Sequence, residues 1–291
     1  MSTTVTPPAT PATTAVTSAR PSAAALPTVL AIGLARAGYE LKLFFRRKEA
    51  VFFTFLFPVM FLILFGLVFG SGTVEGTKIR YAQVLVSGIM ASGLMSVTFV
   101  NLAIGITTER DEGSLKRLAG TPMPKASYFI GKIGMVLVCV IAEIALLMLI
   151  GLVFFGLRLP TAPSRWLTFA WVLVLGTIAA TLLGIAASSV PRSAKSAAAV
   201  TNLPFVALQF ISGVFVPYSE LSPAVRVAAS IFPLKWIAQG FRSVFLPDAF
   251  LRTEPGGSWQ HGQMALVLIG WSILGVILCA RTFRWSAERS E

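Results

Sequence analysis

The sequence predicts an all-α polytopic membrane protein. About six transmembrane helices follow an N-terminal interfacial helix, with re-entrant helices on the outer side between spans five and six. Three observations lead there. Of 291 residues, 55% are hydrophobic and only 12% charged, against roughly 45–50% and about 25% in soluble domains, and mean hydropathy is +0.79. Uncharged runs recur that reach the roughly 20 residues a helix needs to cross hydrocarbon while satisfying its own backbone. Prolines fall at the edges of the remaining apolar segments, where helices must break.

Residues 1–27 are Thr, Pro and Ala with one charge, Arg20, and have no apolar core of the signal-peptide kind. A disordered cytosolic tail is expected there. Residues 28–49 mix Leu30, Ile32, Leu34, Tyr39, Leu41 and Phe44 with Arg36, Lys42, Arg46, Arg47 and Lys48. That pattern predicts an amphipathic interfacial helix with its basic cluster at the anionic cytoplasmic leaflet.

The six-helix domain covers residues 50–281, with spans expected at about 50–70, 81–107, 126–157, 166–190, 196–216 and 263–280. Residues 282–291 form a second cytosolic tail. Span two carries Gly88, Gly93 and Asn101, which suit close packing. Span three contains two charges, Lys132 near its start and Glu143 near its middle. Spans four and five are joined only by the short turn at 191–195 and form an antiparallel hairpin.

Placing both termini in the cytoplasm puts about two-thirds of the basic residues on the inner side, as the positive-inside rule requires. The expected location is the plasma (inner) membrane. The net charge of +12 is thereby explained by topology, since no solvated basic face with interleaved aromatics exists for a nucleic acid. Cys139 and Cys279 lie in apolar runs without metal-ligand spacing, and His261 is the only histidine. A histidine-cluster metal site is therefore excluded.

Two segments carry more than span-forming information. In the inner loop 107–122, Thr108 followed by Asp111 has the form of a capping box. Glu112 and Lys116 make an i,i+4 pair, and Gly120 with Pro122 supplies a stop. A short surface helix is predicted, its Leu115 and Leu118 edge facing either a partner or the lipid surface. In the outer segment, Pro217, Pro223 and Pro233 interrupt a stretch too apolar for an exposed loop. Broken helices dipping into the outer leaflet account for both features.

These segments resemble the signatures of ABC-2 type transporter permeases, over roughly residues 28–286. After span two that family carries a Glu-Arg-x-x-Gly-x-Leu-x-x-Leu pattern, here Glu109, Arg110, Gly113, Leu115 and Leu118. Between spans five and six it carries a Gly, Pro, Pro, Trp-or-Tyr, Gly, Arg series, here Gly213, Pro217, Pro233, Trp236, Gly240 and Arg242. The resemblance implies a coupling helix at about 108–118, Lys116 included, that docks on an ATPase. It also implies a homodimer or a heterodimer with a paralogous permease.

No GxxxxGK[ST] phosphate loop is present, so ATP and Mg are expected on a separate subunit and no cofactor on this chain. The implied function is export of a hydrophobic or amphipathic substrate, drug-, antibiotic- or lipid-like. A sensor or accessory protein on the same scaffold, and a glycan exporter, are the alternatives. Candidate residues of the translocation path are Glu143, an intramembrane carboxylate, with Asn101, Asn202 and Gln209, which serve equally as interhelical glue. Lys132 is expected to snorkel to the inner surface.

Overall fold

The structure, a computed structural model, describes residues 28–74, 77–215 and 218–285. The expected tail at 1–27, the end of the second tail from 286, and Pro217 of the outer signature lie outside the described residues. Apart from an isolated bridge between Thr73 and Arg80, regular structure among the described residues is helical.

Helix α1 (Val29–Arg46) starts at Thr28, whose Oγ1 accepts from the Ala31 amide at 3.2 Å. Its buried stripe is Gly33, Ala37, Glu40 and Phe44, spaced 4, 3 and 4 residues apart, so one face is turned inward. That face lies along the beginning of α7 (Lys125–Phe154). There a Cβ on Gly134 would stand 2.7 Å from that of Ala37, and Ser127 Oγ donates to the Val29 carbonyl at 2.9 Å. Absent side chains at Gly33, Gly131 and Gly134 let the two backbones approach.

Five helical stretches are long and apolar enough to cross a membrane: Lys48–Phe69, Tyr81–Asp111, Lys125–Phe154, Pro163–Ala187 and His261–Thr282. The first joins α2 (Lys48–Val51) to α3 (Phe57–Phe69) through a π-turn at Phe52–Leu56, where the Phe57 amide bonds the Phe52 carbonyl. The second joins α4 (Tyr81–Met95) to α5 (Asn101–Asp111) through a π-turn at Ser96–Val100. α4 is the centre of the bundle, with almost every residue buried.

After α6 (Ser114–Ala119) and α7 come α8 (Pro163–Ala187) and α9 (Ala194–Ile211). α9 stands where the fifth span is expected. Its 18 residues extend about 27 Å and include Lys195, Asn202, Pro204 and Gln209. α10 (Pro223–Ile231) and α11 (Pro233–Phe245) then lead to α12 (His261–Thr282).

All 13 residues of α11 are buried, so this is no surface loop. It runs antiparallel to α8. Arg165, in the first turn of α8, donates to the Leu246 carbonyl at 2.7 Å, and a Cβ on Gly176 would meet Ile237 at 3.0 Å. Those two α8 positions are eleven residues apart, so α11 penetrates the bundle by about 16 Å.

Two local expectations are corrected. Thr108 is not a helix cap: its Oγ1 donates to the Ile104 carbonyl inside α5 at 2.9 Å. Span two therefore continues to Asp111, and the short helix begins only at Ser114. Lys132 does not snorkel, because carboxylates from two other helices reach it inside the bundle.

Candidate functional site

The loop after α5 is built around Gly113, whose φ of +73° is a left-handed conformation that favours glycine. The sharp reversal drops Leu115 into the core at 1% exposure, with Leu118 half-buried behind it. The opposite face of α6, Lys116 and Arg117, is exposed, as are Asp111 and Glu112 just before it. Arg110 donates to the Pro191 carbonyl at 3.0 Å, and Asp111 Oδ2 accepts from the Ala194 amide at 2.9 Å. The loop is thereby fastened to the turn between α8 and α9.

Glu109 points the other way. It is buried and takes part in an ion cluster joining α1, α5 and α7. Lys132 Nζ donates to Glu40 Oε2 at 2.8 Å and to Glu109 Oε1, and Tyr128 donates its hydroxyl to Glu109 Oε2 at 2.9 Å. Arg36 closes the set through Glu40 Oε1 at 2.6 Å. Two carboxylates thus face two cations, with all four carboxylate oxygens engaged. Such a cluster is stable only while complete, since a lone charge left behind carries its full desolvation cost.

A cavity of about 90 Å³ adjoins the cluster, lined in part by Arg47, Asn101 and Met135. The sequence contained a signal for this arrangement: Glu40 is the only acid between residues 28 and 48, and Lys132 one of two charges in span three. Sequence reasoning did not join them.

Midway along the bundle the expected path residues are not brought together. Glu143 is fully buried with no hydrogen-bond partner on either oxygen among the described residues, packed where a Cβ on Gly93 would stand 3.0 Å from its Cγ and Oε1. Asn101, the first residue of α5, donates to Thr54 Oγ1 at 2.6 Å, tying α5 to the π-turn of the first span. Gln209 Oε1 accepts from Ser92 at 2.7 Å, linking α9 to α4. Asn202 lies on the exposed face of α9 among Val200, Leu203, Val206 and Phe210. A small cavity between α3, α4 and α9 is lined by Phe57, Phe61, Ser92, Ser96, Gln209 and Phe215.

At the far end of the bundle the second signature forms a compact unit. Pro233 opens α11, and Gly213 holds a φ of +75°. Gly240 admits Val172 and Met264 against the α11 backbone. Trp236 Nε1 donates to the Ser230 carbonyl at 2.7 Å. Arg242 is 1% exposed; its Nε pairs with Glu254 Oε1 at 2.7 Å and its Nη1 donates to the Gly213 carbonyl at 3.1 Å. Lys235 Nζ lies 3.3 Å above the Trp236 ring centroid.

A central helix wrapped by long apolar helices, with a charged loop helix at one end and the buried α11 at the other, makes a helical membrane domain. The chain belongs to the ABC-2 type transporter family, whose description matches residues 35–246; that family is the membrane component of ABC transporters. The chain is similar to transport permease ycf38 of Porphyra purpurea, 24% identical over 249 residues, covering 82% of this chain and 84% of the relative. It is also similar to the inner membrane transport permease YadH of Escherichia coli strain K12, 22% identical over 220 residues, covering 74% and 83%.

Proposed function

We propose that this chain is the permease subunit of an ABC exporter with six spans, α9 being the fifth. The α6 end and both termini face the cytoplasm, and α10 with α11 forms a re-entrant hairpin from the outer side. A separate ATPase docks on the exposed face of α6, where Lys116 and Arg117 are available, with Glu112 exposed just before it. The subunit works as a homodimer or with a paralogous permease.

The observation that carries this reading is the mechanical continuity behind the docking face. Leu115 plugs α6 into the core, and Glu109, one turn before the loop, is bonded to Tyr128 and Lys132 of α7, with Lys132 in turn holding Glu40 of α1. A push on α6 therefore reaches spans two and three as a body, and their packing converts it into a helix shift. The seam between α3, α4 and α9, aromatic with Ser92, Ser96 and Gln209 among the rings, holds about 20 Å³, and the helix shift opens it for a hydrophobic or amphipathic cargo such as a drug, antibiotic or lipid-like molecule.

The test is co-purification from native membranes of the tagged chain and of the Lys116→Glu, Arg117→Glu double variant, with ATPase activity measured on each. Recovery of an ATP-hydrolysing subunit with the parent, lost or uncoupled in the variant, is the expected result. A parent that brings down no ATPase under gentle conditions overturns the exporter reading. An ATPase that cargo does not stimulate, with no cargo moved in vesicles, redirects it to a sensor.

A further inference from the structure

We propose that the groove at the elbow between α1 and the first span is a binding site for one anionic phospholipid. The groove has a volume of about 380 Å³ and is lined by Phe45, Phe52, Phe55, Val59 and Leu146, with Lys48 at one end. Phe45 and Phe55 stack nearly parallel, 8° apart with centroids at 6.3 Å, and form one wall. Leu146 of α7 is on the other side.

Three features select this occupant. The first is length: Lys48 and Val59 are eleven helical residues apart, about 16 Å, which matches half of a hydrocarbon core about 30 Å thick. One acyl chain of a single leaflet therefore fills the groove from headgroup level to mid-membrane. The second is charge. Lys48 lines the groove, and its sequence neighbours Arg46 and Arg47 are exposed, with Glu49 the one acid in that run, so the headgroup end favours a phosphate bearing a net negative charge. The third is chemistry along the groove: apart from the lysine its lining is aromatic and aliphatic, without polar groups to orient a peptide or a sugar.

The site binds from the leaflet on the α6 side. It does not depend on which cargo the permease moves or on whether an ATPase docks at α6.

The test uses the full chain in nanodiscs of phosphatidylcholine containing a fixed fraction of brominated lipid, either phosphatidylglycerol or phosphatidylcholine. Leu146→Trp is the reporter, and its fluorescence is read as the difference from the parent, which cancels the native tryptophans. Stronger quenching by brominated phosphatidylglycerol than by brominated phosphatidylcholine at equal mole fraction is expected. Adding Lys48→Gln should lower that preference about fivefold per lost charge.

Equal quenching by the two lipids, or a preference unchanged by Lys48→Gln, overturns the proposal. A reporter shielded from both lipids also overturns it and assigns the groove to a protein partner. Quenching relieved by a hydrophobic cargo and indifferent to headgroup charge assigns it to cargo instead.

Discussion

Replacing Lys132 by Met should destabilise the protein by about 3–5 kcal/mol, because it keeps the volume and removes the cation between two buried carboxylates. The Lys132, Glu40 and Glu109 side chains are 4%, 3% and 11% exposed. At an effective dielectric of about 20, a contact like the 2.8 Å one to Glu40 is worth about 6 kcal/mol of Coulomb attraction. Desolvation of the ammonium offsets much of this in the intact protein. The variant recovers that desolvation term but leaves Glu40 and Glu109 facing each other, one of which must then take a proton or drag in water. Thermal unfolding of the detergent-solubilised protein, calibrated by denaturant titration, measures the loss. A double-mutant cycle with Glu40→Gln should give a coupling of about 0.5–3 kcal/mol.

The apolar triple variant Glu40→Leu, Lys132→Met, Glu109→Leu leaves no buried charge of the trio unpaired, and Arg36, at 19% exposure, can turn to solvent. It should be more stable than Lys132→Met alone. A loss below about 1 kcal/mol in the single variant, or a triple variant less stable than the single one, would refute the reasoning. ATPase-coupled transport by the triple variant then separates the two roles: folded but uncoupled if the cluster transmits force, coupled if it only holds the helices together.

Other expectations follow from the same geometry. Arg242→Met should cost about 3–5 kcal/mol by stranding Glu254, and adding Glu254→Leu should restore most of it; unfolding midpoints of the two variants decide this. Gly93→Ala places a methyl 3.0 Å from Glu143 Cγ and Oε1 and should cost about 1–3 kcal/mol, whereas Glu143→Gln should leave assembly, followed by size-exclusion profile, intact. Asn101→Leu should remove about 0.6 kcal/mol by breaking the bond from α5 to Thr54 of the first π-turn, read as the shift in unfolding midpoint.

Much of the architecture was legible because crossing hydrocarbon imposes a local, one-dimensional demand. Each span had to show itself as a long apolar run, and the five candidate spans stand where the runs predict them, with ends shifted by a few residues. The second run extends past its expected end at residue 107 to Asp111, because helix packing carries α5 through polar sequence that hydropathy reads as loop. The site was legible only in its addresses. Leu115 and Gly113 are located by the loop pattern. The inward turn of Glu109 is not: Glu109 and Arg110 look equivalent in sequence, yet a rotation of about 100° between neighbours on a helix sends one into the ion cluster and the other to the Pro191 carbonyl.

By itself, the sequence determined that this is a helical membrane protein, where its apolar segments lie, and where the family's two signatures sit. Hydrophobic runs, prolines and glycines act on their own neighbourhood and need no partner to be read. Only the tertiary structure decided that Lys132 meets Glu40 across 92 residues, that Glu143 is left without a partner, and that α11 is driven into the bundle. Those outcomes depend on the relative rotation and depth of packed helices, which are set by small-residue contacts such as Gly33, Gly131 and Gly134 between α1 and α7, and no single segment contains that information.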